Sequence, residues 1–173
     1  IFEGYWVFIF SINSKLFLIL GLAGVTLSAH AMQISEEVIV ATHQLFAAVK
    51  AENIALAEQL LRPESPVDIT AARDEHGFPI THWTIDGRFT ETNARILGML
   101  LAHTPDAVNL TDSKGWTMLH WAANNNNIAA MNWLWAHGAH LDAITNDGET
   151  PLLIAVKEGH HDFAVTMLMH LFR

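Results

Sequence analysis

Apolar residues recur along this chain at helical spacing, in short runs separated by glycine, asparagine and aspartate. In the apolar segment that runs into Gly138, Met131, Leu134 and Trp135 stand three and four apart, which puts them on one helix face. The run before it carries Leu119, Ala122 and Ala123, so the pattern predicts a thin first helix and a bulkier second one. Between them lie asparagines 124–127, a residue type that tolerates the left-handed backbone of a tight turn. Then the signs return: Gly115, Thr117, Leu119 and Ala122 recur 33 residues on as Gly148, Thr150, Leu152 and Ala155. A fixed period of this length marks stacked units that bury their apolar sides against each other. Gly115 and Gly148 supply the positive φ of a turn, Thr117 and Thr150 are placed to cap the next helix, and Pro151 suits a first helical position.

Upstream the pattern weakens but persists. Residues 35–62 read as two helices, with Ser35-Glu36-Glu37 as the start signal. Ala48-Val49-Lys50 repeats Ala155-Val156-Lys157 at a spacing of 107, and the same offset carries Leu56, Ala57, Leu60 and Leu61 onto Phe163, Ala164, Met167 and Leu168. This pair therefore reads as a degenerate copy of the last one, in a capping position. Pro63 and Pro66 end it. Aligning Gly77 with Gly115 puts His82 on His120 and Trp83 on Trp121, 38 residues apart, so five extra residues are assigned to a loop at 86–93. The second helix of that unit is predicted at 94–103, with Ile96, Leu97, Leu100 and Leu101 inward. Unit boundaries fall near 35–73, 74–111, 112–144 and 145–173.

The string Asp112-x-x-Gly115-x-Thr117-x-Leu119-His120-x-Ala122-Ala123, followed by Gly138-Ala139, resembles the ankyrin repeat. So does Gly148-x-Thr150-Pro151-Leu152-x-x-Ala155-x-x-x-Gly159-His160. Departures are Met118 where the family usually has Pro, Asn126-Asn127 where it has Gly-His, and Leu153 where it has His. The resemblance implies an all-α solenoid of about four helix-turn-helix units with short β-hairpin loops. It implies further a non-catalytic module that binds a partner protein through its concave face and hairpin tips. On those positions stand Phe78, Trp83, Lys114, Trp116, Trp121, Asn146 and Glu149 as partner-binding candidates. Phe78 is expected beside Trp116, Trp83 beside Trp121, and Trp116 projecting from its finger. A second reading has Trp83 and Trp121 fill space between repeats. For His82 and His120 the resemblance implies a structural hydrogen bond between adjacent loops.

Composition narrows the alternatives. The net charge is −9 and the nine basic residues are scattered, which leaves no electrostatic footprint for nucleic acid. There is no cysteine, no Gly-x-Ser-x-Gly, no phosphate-binding glycine loop and no HExxH spacing. No cofactor or small-molecule substrate is therefore expected. His137, His140, His160 and His161 are the residues a metal would use if the chain were instead an exported effector or accessory protein with a metal-linked or enzymatic role.

The N-terminus adds a targeting question. Residues 16–27 carry no charge, Lys15 stands just before them, and Ala29-His30-Ala31 places small residues two apart. This is the layout of a signal peptide, giving a periplasmic or secreted chain that starts at Met32. Two alternatives remain: the segment stays as a hydrophobic membrane anchor, although it is short of the about 20 apolar residues a bilayer needs, or translation begins at Met32 and the protein is cytoplasmic. Residues 1–31 thus form a signal peptide or anchor helix, and 35–173 the repeat domain.

Overall fold

In the computed structural model, residues 29–62, 65, 67–85 and 88–172 are described. The expected apolar helix and most of the targeting segment lie outside them. The backbone separates into two compact units, Ile1–Glu37 and Val38–Arg173. The described part of the first is the opening of helix α1 (Ala29–Lys50). That helix begins ahead of Ser35, where the start signal was read, because no glycine or proline interrupts residues 29–35. Among the described residues no helix is long and apolar enough to cross a membrane.

The second unit stacks helix pairs. After α1 come α2 (Ile54–Leu60), a 3-10 turn (Ile80–Thr84) with α3 (Glu91–His103), α4 (Met118–Asn124) with α5 (Ile128–Ala136), and α6 (Pro151–Lys157) with α7 (His161–Leu171). Thr150 closes its helix start as the sequence suggests, accepting from the Leu153 amide (3.2 Å), and two further starts are closed by Asn53, which accepts from the Leu56 amide (3.1 Å), and Asn127, which accepts from Ala130 (3.0 Å). Asn126 takes the left-handed backbone, at φ 53°. The positions predicted inward, Ile96, Leu97, Leu100, Leu101, Met131 and Leu134, are buried. Trp135 is only half-buried and stacks on the His170 ring, with centroids 4.0 Å apart. On α7 Val165, Leu168 and Met169 are exposed, as is Phe172 just after it.

The unit at 74–111 departs from expectation twice. Its first helix is a 3-10 turn, because Pro79 stands where Thr117 and Thr150 stand in the other units and offers no cap, and because Thr81 and Thr84 replace helix-favouring Leu119 and Ala122. The Thr84 hydroxyl donates to the Thr81 carbonyl instead (2.7 Å). Its second helix starts at Glu91 and not at Ala94. Thr90 caps it, accepting from the Asn93 amide (3.2 Å) while the Asn93 side chain accepts from the Thr90 amide (2.9 Å). The inserted loop is shorter by that turn of helix.

The hairpins also differ from β-strands. Among the described residues the only ladder contact is an isolated antiparallel bridge between Arg73 and Pro79. Each hairpin is a tight finger whose glycine has positive φ, and here the two best-matched glycines part ways. A Cβ on Gly115 (φ +77°) would lie 2.6 Å from Asn146 Oδ1 and 2.8 Å from the Asn146 nitrogen, whereas one on Gly148 (φ +76°) meets nothing within 4 Å. Gly148→Ala is therefore expected to cost about 1–2 kcal/mol of backbone strain. Gly115→Ala should cost a further ~1–3 kcal/mol for overpacking against the next finger. Urea unfolding of both variants checks the difference, and equal losses would mean that the fingers do not pack as closely as described.

Candidate functional site

Three fingers share one backbone scheme. The first amide donates to the carbonyl four residues on: Asp74 to Phe78 (3.0 Å), Asp112 to Trp116 (2.9 Å) and Thr145 to Glu149 (2.9 Å). The glycine amide donates back to the first carbonyl, at 3.0, 3.1 and 2.9 Å for Gly77, Gly115 and Gly148. The side chain of the first residue completes the turn. Asp74 Oδ1 accepts from the His76 and Phe78 amides, Asp112 Oδ1 from Lys114 and Trp116, and Thr145 Oγ1 from Asp147 and Glu149. Sequence reasoning missed this role for Asp74, Asp112 and Thr145. The signal was an Asp or Thr three residues ahead of each finger glycine, the arrangement in which a short oxygen-bearing side chain bonds the backbone two residues on.

Fingers are tied to their neighbours by ring nitrogens, as the resemblance implies. His82 Nε2 donates to the Trp116 carbonyl (3.0 Å) and His120 Nε2 to the Glu149 carbonyl (3.1 Å). His160 makes a similar link between units lower down, to the Asn124 carbonyl (3.0 Å). Asn146 adds a direct tie, its amide donating to the Lys114 carbonyl (3.0 Å) and its Nδ2 to the Ser113 carbonyl (3.1 Å). Arg73 reaches across to the Thr111 carbonyl (2.6 Å).

The two histidines differ at their other nitrogen. His120 Nδ1 accepts the Thr117 amide (3.1 Å), with the Thr117 hydroxyl 2.8 Å away, so the ring is neutral and carries its proton on Nε2. Thr117 thus caps its helix through His120. His82 faces Pro79 in the equivalent place, where no amide hydrogen exists, and its Nδ1 has no partner. Burial pushes the His82 pKa down to about 4, against smaller opposing effects of the Trp116 carbonyl and Asp112. Burial lowers that of His120 as well. Replacing His120 with Ala strands the Thr117 amide and leaves the Glu149 carbonyl with the Thr145 amide as its remaining donor. Stability is expected to fall by about 1–3 kcal/mol, the cost of unpaired buried polar groups, and a melting curve within error of wild type would remove His120 from the fold.

The aromatic residues do not pair along the stack as expected. The Phe78 ring meets Trp121 edge-on at 5.7 Å, and Trp121 meets Trp116 at 4.9 Å, so the contacts run diagonally through Trp121. Trp121 Nε1 also donates to Asp112 Oδ2 (3.2 Å). Trp83 carries Lys50 instead, the ammonium 3.7 Å above its ring. Trp116 does not stand free on its finger. It is half-buried, packs against the core and lies 6.1 Å from the His120 ring, because the diagonal offset draws it over the start of α4. Of the remaining candidates, Lys114 is exposed at its finger tip, Asn146 is engaged with Ser113, and Glu149 is ion-paired with Lys157. That pairing raises the Lys157 pKa.

Among the described residues no group of three or more His, Cys, Asp or Glu side chains converges as a metal site. His137 stacks on Trp133 at 3.6 Å and His160 is committed to Asn124.

Comparison with known proteins agrees with this geometry. A family model for ankyrin repeats in three copies matches residues 45–171. Over 64 residues the chain is 34% identical to the poly [ADP-ribose] polymerase tankyrase of Caenorhabditis elegans. That alignment covers 37% of this chain and about 3% of the length of the relative.

Proposed function

We propose, from the premise that the chain belongs to the ankyrin repeat family, that it binds a partner protein without catalysis, through the concave face and finger tips formed by residues 74–154. Repeats of this family are generally protein-protein interaction modules. One observation carries the finer reading: Phe78, Trp121 and Trp116 form a contiguous, half-exposed aromatic row beside fingers whose backbone groups are already bonded to each other. Side chains are what such a surface offers a partner, and large aromatics are enriched at binding hot spots. In this reading Phe78, Trp83, Trp116 and Trp121 supply contact area and Lys114 a charged tip. Asn146 and Glu149 hold the third finger in place at the rim.

Two measurements test it. A photo-crosslinking residue at Lys114 should trap a protein from the native source, while one at exposed Ala129 on α5 should not; the reverse labelling would put the partner on the other face. Trp116→Ala should weaken binding of the trapped partner by about 2 kcal/mol or more if it is a hot spot. Its packing on Trp121 makes it cost stability as well, about 1–2 kcal/mol. Calorimetric titration on the folded variant separates the two effects, and unchanged affinity would make Trp116 a packing residue only.

A further inference from the structure

The irregular unit concentrates the unpaired polar groups of the molecule. Among the described residues five buried side-chain atoms have no hydrogen-bond partner, and four of them, Asp74 Oδ2, Thr81 Oγ1, His82 Nδ1 and Trp83 Nε1, fall within residues 74–83. Buried polar groups are otherwise nearly always bonded. The backbone of the same stretch ends in a 3-10 turn, whose hydrogen-bond geometry is poorer than that of the α-helix standing in its place in the next unit.

Two of the four are a donor and an acceptor that belong together. In the next unit the equivalent tryptophan, Trp121, donates its indole N–H to Oδ2 of the equivalent aspartate, Asp112, at 3.2 Å, and the two residues stand as far apart in sequence as Asp74 and Trp83 do. Asp74 is set up for the same bond. Its Oδ1 accepts from the His76 and Phe78 amides, as Asp112 Oδ1 does from Lys114 and Trp116, which leaves Oδ2 over in each finger.

What differs is the indole. Lys50, at the end of α1, holds its ammonium 3.7 Å from the centre of the Trp83 ring. The 3-10 winding is held besides by the Thr84 hydroxyl on the Thr81 carbonyl, a bond that Ala122, at the equivalent place in α4, has no hydroxyl to make. A cation on an indole face and a hydrogen bond to a carboxylate contribute free energies of the same order. Each position of the ring therefore forgoes about what the other gains.

We infer that Trp83 is a two-position switch, covered by Lys50 in one state and bonded through its indole N–H to Asp74 Oδ2 in the other. The link from His82 Nε2 to the Trp116 carbonyl is compatible with both, since His120 makes its own link from within an α-helix. In the second state the Trp83 ring faces Phe78 as Trp121 faces Trp116, and the aromatic row gains a member. Lys50 thus withholds one ring from the row. That consequence rests on the partner-binding reading, whereas the switch itself is measured without a partner.

The test is NMR of the full chain, with the Trp83 indole resonance identified as the one absent from Trp83→Phe. Lys50 is exposed, and asparagine at position 74 keeps one oxygen for the finger amides while an NH2 group replaces the acceptor Oδ2, so Lys50→Ala and Asp74→Asn both retain the fold. In the wild type, relaxation dispersion on the μs–ms scale should show the Trp83 indole exchanging with a minor state of about 0.1–10%. Asp74→Asn should abolish that exchange. In Lys50→Ala the ratio of bonded to unbonded ring should rise about tenfold, the factor that 1.4 kcal/mol produces, and the resonance should move toward that of Trp121. In the Lys50→Ala, Asp74→Asn double variant it should not. Absence of dispersion in the wild type, dispersion that persists in Asp74→Asn, or the same Lys50→Ala shift with and without the Asp74 carboxylate each overturns the switch. None of these outcomes alters what is trapped at Lys114, so the switch and the partner-binding reading fail separately.

Discussion

Leu134→Ala is expected to lower the free energy of unfolding by about 2–5 kcal/mol, the range for truncating a buried leucine. Leu134 is fully buried on α5, in the unit that has a complete neighbour on each side. In a stacked array, stability is approximately a sum of unit terms and nearest-neighbour interfaces. A cavity in this unit therefore weakens its own pair and the contacts that join 74–111 to 145–173. Urea unfolding followed by circular dichroism measures the loss. A change below about 0.5 kcal/mol, the scale of surface substitutions, would mean that α5 turns a different face inward.

Acid should destabilise the protein well before its carboxylates are titrated. In the folded chain the His82 pKa is pushed down to about 4 by burial, from 6.5 in the ordinary state. The unfolded chain thus takes up this proton first, and stability rises with pH wherever the unfolded state holds more protons. The contribution is complete above pH 6.5 and is lost as the pH falls toward 4, amounting to about 3 kcal/mol. His120 acts in the same direction, since burial lowers its pKa too. A protonated His120 would also turn Nδ1 into a donor facing the Thr117 amide. Carboxylates contribute to any acid transition, so the informative quantity is a difference. Unfolding free energies at pH 7.5 and 4.5 should diverge less in His82→Asn, whose side chain has no proton to gain, than in the wild type. Identical pH dependence in the two proteins would show that the His82 ring is solvated.

Much of this fold was legible along the chain. The 33-residue recurrence located α4 to α7, because each feature that defines them acts over a few neighbouring residues: the left-handed glycines, the cap at Thr150, and the three-and-four spacing of Met131 and Leu134. The His82 and His120 links were legible through the resemblance, and their observed partners lie 34 and 29 residues away. Where a local signal was present but misread, the structure shifted a boundary, as at the Thr90 and Asn93 capping pair that starts α3 early.

The candidate site was legible only as a set of residue types. Phe78, Trp116 and Trp121 could be assigned to exposed positions of a repeat, but which ring meets which depends on the rotation of one unit against the next. That rotation is set by the summed packing of buried side chains from both units. No short stretch of sequence encodes it. The same holds for Lys50 over Trp83, which joins the end of α1 to a turn 33 residues later. Sequence alone determined the units, their turns and most of their buried faces, since those follow from backbone propensity and periodic burial. Tertiary structure decided the ring contacts and the neutral state of His82, since each requires groups from separate units to meet in one low-dielectric space.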